Sequence, residues 1–164
     1  MENFEVELRN FVLEGIRNNI PVETLTLEVI NRNNDRLFLG CSRAILYALL
    51  ASIPENIAPG KPLLVAFQKT LKQWQKLMLS FVQEYDMVDI LKILEEYLET
   101  DFPRYASIFQ FLVHNLYDLD IVNEESIFQW ESERMALPEE NRKFVSQCTK
   151  FLDWLKNAEK EEDE

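Results

Sequence analysis

Large apolar residues recur three and four positions apart along nearly the whole chain, a spacing that suits helices and little else. Phe4, Leu8, Phe11, Val12 and Ile16 make the first such row. Val22, Leu25 and Val29 follow Pro21, whose missing N–H is no loss in a first helical turn. Leu39, Arg43, Leu46 and Leu50 form a third row, in which Arg43 is the polar exception. Leu64, Phe67, Leu71, Trp74, Met78 and Phe81 then read as one long stripe. Met87, Ile90, Leu91, Leu94 and Leu98 come next, followed by Tyr105, Phe109, Leu112 and Leu116. Asn123 reads as an N-cap, with Glu124 and Glu125 favourably placed against the helix dipole. Phe144, Cys148, Phe151 and Leu155 mark the last helix.

No stretch alternates strictly, and three glycines are few for a fold rich in tight turns. The expectation is an all-α chain of eight or nine helices. Prolines at 21, 62, 103 and 138 punctuate it at close to the roughly 40–47-residue period of HEAT-type helix pairs. A HEAT-like stack of antiparallel helix pairs therefore fits better than one four-helix bundle. The chain reads as a single domain over 1–158, with a loop at 53–62 and an acidic tail at 159–164.

Composition narrows the chemistry. A chain of 164 residues can remove roughly 70% of its unfolded surface from water. Its 29 acids against 17 bases leave a net charge of −12, which repels nucleic-acid phosphates and anionic lipid and attracts basic proteins. The isolated glycines build no phosphate-cradling loop, and His114 with Cys41 and Cys148 offers no zinc spacing. His114 reads as a structural or surface residue. No metal, no cofactor and no covalent enzyme chemistry are expected. Two cysteines in a core-bearing domain suggest reduced thiols, and Met1-Glu2-Asn3-Phe4 leads directly into an acidic amphipathic segment. With no apolar run near the roughly 20 residues of a membrane span, a cytoplasmic location is expected.

Two blocks interleave carboxylates with aromatic surface. Tyr117, Asp118, Asp120, Glu124, Glu125 and Trp130 make the first, near 117–130. Phe151, Asp153, Trp154, Glu159, Glu161 and Glu162 make the second, near 151–162. Lysine-rich segments suit such surfaces, because acids take the ammonium groups while rings cover the methylene stems. The plainer alternative makes Trp130, Phe151 and Trp154 core anchors beneath a solvated acidic face.

Both blocks, in this order, resemble the acidic–aromatic boxes of the two-tryptophan domain at the C-termini of several translation initiation factors. These include the exchange subunit of factor 2B, the GTPase-activating factor 5 and the large scaffold of the cap-binding complex. Leu25-Thr26-Leu27-Glu28-Val29 further resembles a Leu-x-Leu-Glu-Ile-Asn stretch of the epsilon, or exchange, subunits. The chain departs from that pattern at Ile30 and through Asn33–Leu37, and Lys160 interrupts the second acid run.

The resemblance implies a C-terminal piece of a larger subunit that promotes guanine nucleotide exchange on initiation factor 2. The boxes would grip lysine-rich segments of its beta subunit. Glu28, with Leu27 beside it, would engage the gamma GTPase subunit and promote GDP release. By helical geometry Glu28 lies about 60° from Leu25, on the flank of the apolar stripe. Other factor 2B subunits would be partners of the full-length protein, and nucleic acid and membrane would not. Two alternatives share the fold: a factor 5-like adaptor that binds the lysine blocks without releasing nucleotide, and a scaffold for another basic partner.

Overall fold

The computed structural model describes residues 3–33 and 38–163, with side chains as far as Ala158. Ten α-helices and no strand occur among the described residues. They are α1 (Asn3–Arg17), α2 (Val22–Asn33), α3 (Phe38–Ser52), α4 (Lys61–Gln73), α5 (Gln75–Leu79), α6 (Met87–Thr100), α7 (Phe109–Asp118), α8 (Glu124–Met135), α9 (Lys143–Gln147) and α10 (Thr149–Asp163). Short 3-10 turns occupy Glu84–Asp86, Pro103–Ile108 and Glu139–Asn141.

The helix count exceeds the expected eight or nine because two apparent helices are each broken by one residue. Trp74 (ψ 16°) separates α4 from α5, and Cys148 (ψ 6°) separates α9 from α10. A single non-helical residue leaves the three-and-four spacing intact, so the pattern does not reveal it. The break lets Leu71, Trp74, Leu77 and Met78 all reach the core. At the other end α10 runs on to Asp163, through the segment read as a tail.

Helices pack chiefly on elements further along the chain. Helix α1 lies along α3, α3 meets α6, and α6 meets α8, while α2 packs on α5 and α4 on α7. This is the layered order of stacked helix pairs. Helix α3 is its axle, with Cys41, Ser42, Ala44, Ile45, Leu46, Ala48, Leu49 and Leu50 all buried. Around it Tyr97 and Tyr105 donate their hydroxyls to the carbonyls of Arg43 (3.2 Å) and Leu50 (2.7 Å). Burial is the main reason both phenols are held above their ordinary pKa. Arg104 pins the 53–60 loop by donating to the carbonyls of Ile53 (2.6 Å) and Pro54 (2.8 Å).

The α1–α2 corner depends on two residues. A Cβ on Gly15 would stand 2.8 Å from Leu25 Cδ1, so any larger residue here would push the buried Leu25 side chain aside. Asn19 then turns the chain in the left-handed region (φ 53°), with Ile20 N–H bonded to the Gly15 carbonyl at 3.1 Å. That bond, with Asn19 N–H on the Ile16 carbonyl, closes a Schellman cap.

Candidate functional site

Helix α7 ends in the same cap. Asp120 takes the left-handed position (φ 63°), its N–H bonded to the Tyr117 carbonyl at 3.1 Å, and Ile121 N–H reaches the Leu116 carbonyl at 2.9 Å. Leu116 and Ile121 are both fully buried, which supplies the apolar contact such a cap carries. From α5, Gln75 Nε2 donates to the Leu119 carbonyl at 3.0 Å and fixes the turn to the core. Asn123 caps α8 as expected: its side chain accepts from Ser126 N–H at 2.8 Å, while Ser126 Oγ accepts from Asn123 N–H at 3.1 Å.

The turn held this way displays Asp118, Asp120, Glu124 and Glu125, with Asp118, Asp120 and Glu125 exposed. All four, with Tyr117 and Glu84, line one open cleft of about 860 Å³. Asp120 is placed at a cost. It stands at the negative end of α7 in a conformation that L-residues disfavour, and both effects weaken the fold by something near 1 kcal/mol.

A second cleft of about 570 Å³ continues the first, sharing Glu84, Asn123 and Glu125 and adding Tyr85, Asp89 and Glu133. Tyr85 is 80% exposed. Lys92 crosses this cleft to Glu133 at 3.1 Å. Asp86 lies buried at the foot of α6, its carboxyl raised above the ordinary value by burial and then by Asp89. Sequence reasoning passed over Glu84, Tyr85 and Asp89. The available signal was the acid–aromatic–acid run Glu84-Tyr85-Asp86, a small copy of the box pattern.

The second block joins the first through rings. Phe151 and Trp154 on α10 stack at 6.0 Å, and His114 on α7 lies 4.9 Å from Phe151 and 5.1 Å from Trp154. Tyr117 meets both α10 rings edge-on, at 6.3 and 6.4 Å, and donates its hydroxyl to Glu124 at 3.1 Å. His114 Nε2 lies 3.5 Å from Asp118 Oδ1. His114, read from the sequence as structural or surface, is thus part of the cluster that unites the boxes. Trp154 is 49% exposed, Asp153 is exposed, and Phe151 is almost covered. Glu159, Glu161 and Glu162 lie on the α10 backbone, and their side chains fall outside the described residues.

Trp130 departs from the partner-contact reading. It is fully buried, packed on Phe109 at 5.7 Å, and its indole N–H donates to the Glu95 carboxylate. Arg134 Nε holds the same carboxylate oxygen at 2.9 Å. Trp130 is therefore the core anchor of the alternative reading. Its environment also keeps Cys148 protonated, with a pKa raised to about 12 by burial and then by the Glu95 charge.

The N-terminal residues occupy a different surface. Leu25 and Val29 are fully buried, whereas Leu27 is 61% and Ile30 48% exposed, and Glu28 lies half-buried on the flank between these faces. Of the departing stretch, Asn34–Leu37 falls outside the described residues.

No helix among the described residues is long and apolar enough to cross a membrane, and no His, Cys, Asp and Glu side chains among them gather as a metal site. Residues 86–164 match the family model described as W2: eIF4-gamma/eIF5/eIF2-epsilon. Over 98% of its length the chain is 29% identical to translation initiation factor eIF2B subunit epsilon of Dictyostelium discoideum, covering 24% of that protein. Over 57% of its length it is 35% identical to eIF5-mimic protein 2-A of Danio rerio, covering 22% of it. Over 59% it is 28% identical to eukaryotic translation initiation factor 5 of Phaseolus vulgaris, again covering 22%. The chain thus spans about a quarter of the length of these relatives.

Proposed function

We infer, from the match of residues 86–164 to the W2: eIF4-gamma/eIF5/eIF2-epsilon family model, that this chain promotes guanine nucleotide exchange on initiation factor 2. Lysine-rich segments of the beta subunit dock in the cleft of the first box. One observation carries the reading: Tyr117, bonded to Glu124 and edge-on to the half-exposed Trp154, lies with the carboxylates of the α7–α8 turn in one cleft, so acids and aromatic surface form one face. A lysine stem laid on Trp154 would direct its ammonium group toward Asp118 or Asp120. The gamma GTPase subunit then meets the α2 face at Leu27 and Glu28. The similarity to an eIF2B epsilon subunit along nearly the whole chain, α2 included, supports this second contact.

No bond is made or broken. Exchange accelerates because the domain binds nucleotide-free GTPase more tightly than the GDP form, and linkage requires it to weaken GDP by the same factor. Glu28 contributes by bringing a carboxylate toward the Mg²⁺–phosphate site, where it opposes phosphate or competes for its cations.

The test is release of labelled GDP from purified initiation factor 2, with this chain and with its Glu28→Ala variant. Acceleration that the variant loses supports the reading; equal acceleration by a folded variant removes Glu28 from it. The second reading is a lysine-binding adaptor. It is favoured by the shorter matches to factor 5 and its mimic, and by a cleft built entirely from residues 84–133. Binding of lysine-block peptides without faster GDP release would select it.

A further inference from the structure

From residue 56 to residue 83 the chain carries four lysines and no carboxylate, although its net charge is −12. The structure places these lysines on one face. Lys61, Val65, Gln68, Lys69 and Lys72 fall within an arc of about 100° on α4. Lys76 on α5 continues the row beyond the break at Trp74. All six side chains are exposed, with Val65 53% open to solvent in the middle of the row. From Lys61 to Lys72 the stripe is about 16 Å long, three turns of helix.

These charges are not used within the fold. Among the described residues Lys61, Lys69 and Lys72 have no ion pair, and Lys76 reaches only Glu23, at 3.8 Å with both side chains mostly exposed. Glu23 belongs to α2, so the stripe adjoins the helix that carries Leu27 and Glu28. Leu79, 39% exposed on α5, extends its apolar component past Lys76.

We propose that the α4–α5 stripe docks an acidic, amphipathic helical segment of a partner protein, independently of the exchange reading. Charge complementarity sets the sign of the partner. Its class follows from the rest of the surface. Val65 and Leu79 give the apolar contact that a helix with leucines three and four apart would use. The stripe has no arginine and no exposed ring on which a base would stack, and the acidic remainder of the molecule repels an extended polyphosphate.

The probe is a fluorescein-labelled helical peptide of glutamate, alanine and leucine, with leucines three and four apart, followed by fluorescence anisotropy. Saturable, salt-weakened binding is expected. The triple variant Lys61→Glu, Lys69→Glu, Lys72→Glu should weaken it by about tenfold or more, and Val65→Ser by about threefold. The triple glutamine variant, which removes charge without reversing it, should fall between wild type and the glutamate variant. Substituting Glu125→Gln in the cleft should leave it unchanged. Equal binding by wild type and a folded triple variant would overturn the proposal. So would tighter binding of an oligouridylate of equal charge. A third contrary result is a concentration-dependent dimer, abolished by the triple variant, which would make a second copy of this chain the occupant.

Discussion

Helix α7 meets one tryptophan at each end. Phe109, in its first turn, packs on Trp130; His114 and Tyr117, towards its last, pack on Trp154. At the first end everything polar is matched. Glu95 takes both the Trp130 indole N–H and Arg134, and the indole itself is sealed from water. At the second end Trp154 is half open and Asp118, Asp120 and Asp153 face solvent. A carboxylate with two internal donors can add nothing to a partner, whereas one held beside an open ring can. The same residue types therefore hold the fold together at one end of α7 and remain available at the other.

Truncating the two tryptophans should separate these roles most sharply. Trp130→Ala leaves a cavity and removes one of the two donors to Glu95, so a loss of about 3–5 kcal/mol is expected in urea unfolding. Trp154→Ala should cost less than about 1 kcal/mol of stability, yet weaken a lysine-block peptide by about tenfold. Equal losses of stability in the two variants would break the comparison.

The paired helix caps sharpen it further. Asp120→Gly relieves a left-handed aspartate at the negative end of α7 and should stabilise the chain by about 1 kcal/mol while weakening lysine-peptide binding. Asn19→Gly, in the matching cap of α1, should change stability by only a few tenths of a kcal/mol and leave that binding alone. If Asp120→Gly binds lysine peptides as well as the parent, the cap geometry serves the fold alone.

A pH-dependent effect concerns the two buried thiols, Cys148 beside the enclosed end and Cys41 on α3. Burial raises Cys41 to about 11 and Cys148 to about 12, so both thiols stay protonated in the folded chain after their unfolded counterparts ionise near 9.0. The unfolded state then binds fewer protons, and stability should fall as pH rises from about 9 towards 12. Cys41→Ala/Cys148→Ala should make that slope shallower in unfolding curves measured across the same range, the rest belonging to the buried phenols of Tyr97 and Tyr105. Native alkylation at neutral pH should be slow at both thiols.

Much of the fold was legible because helix burial repeats every three or four residues, and Leu25, Phe67, Leu94 and Leu112 all obey that repeat into the core. The breaks at Trp74 and Cys148 were not, since one residue off the helix does not disturb the repeat. Within the candidate site, the acids of 118–125 were found through local adjacency, which a capped turn preserves in space. Trp130 and Trp154 were not told apart, because burial depends on what packs over a helix and not on its own neighbours in the chain. Glu84 and Tyr85 join the cleft only through the packing of α6 against α8, a contact between distant segments. His114 was set aside as a lone histidine; its partners Phe151 and Trp154 arrive from α10.

The unequal exposure of the indoles has an optical consequence. Trp74 and Trp130 are sealed at 1% and 0% exposure, and Trp154 stands 49% open. The long-wavelength, acrylamide-accessible part of the emission therefore belongs to Trp154, and the short-wavelength part to the sealed pair. One unlabelled sample thus carries two separate gauges: quenching at the red edge follows occupancy of the surface, while a shift of the blue component follows the melting of the interior.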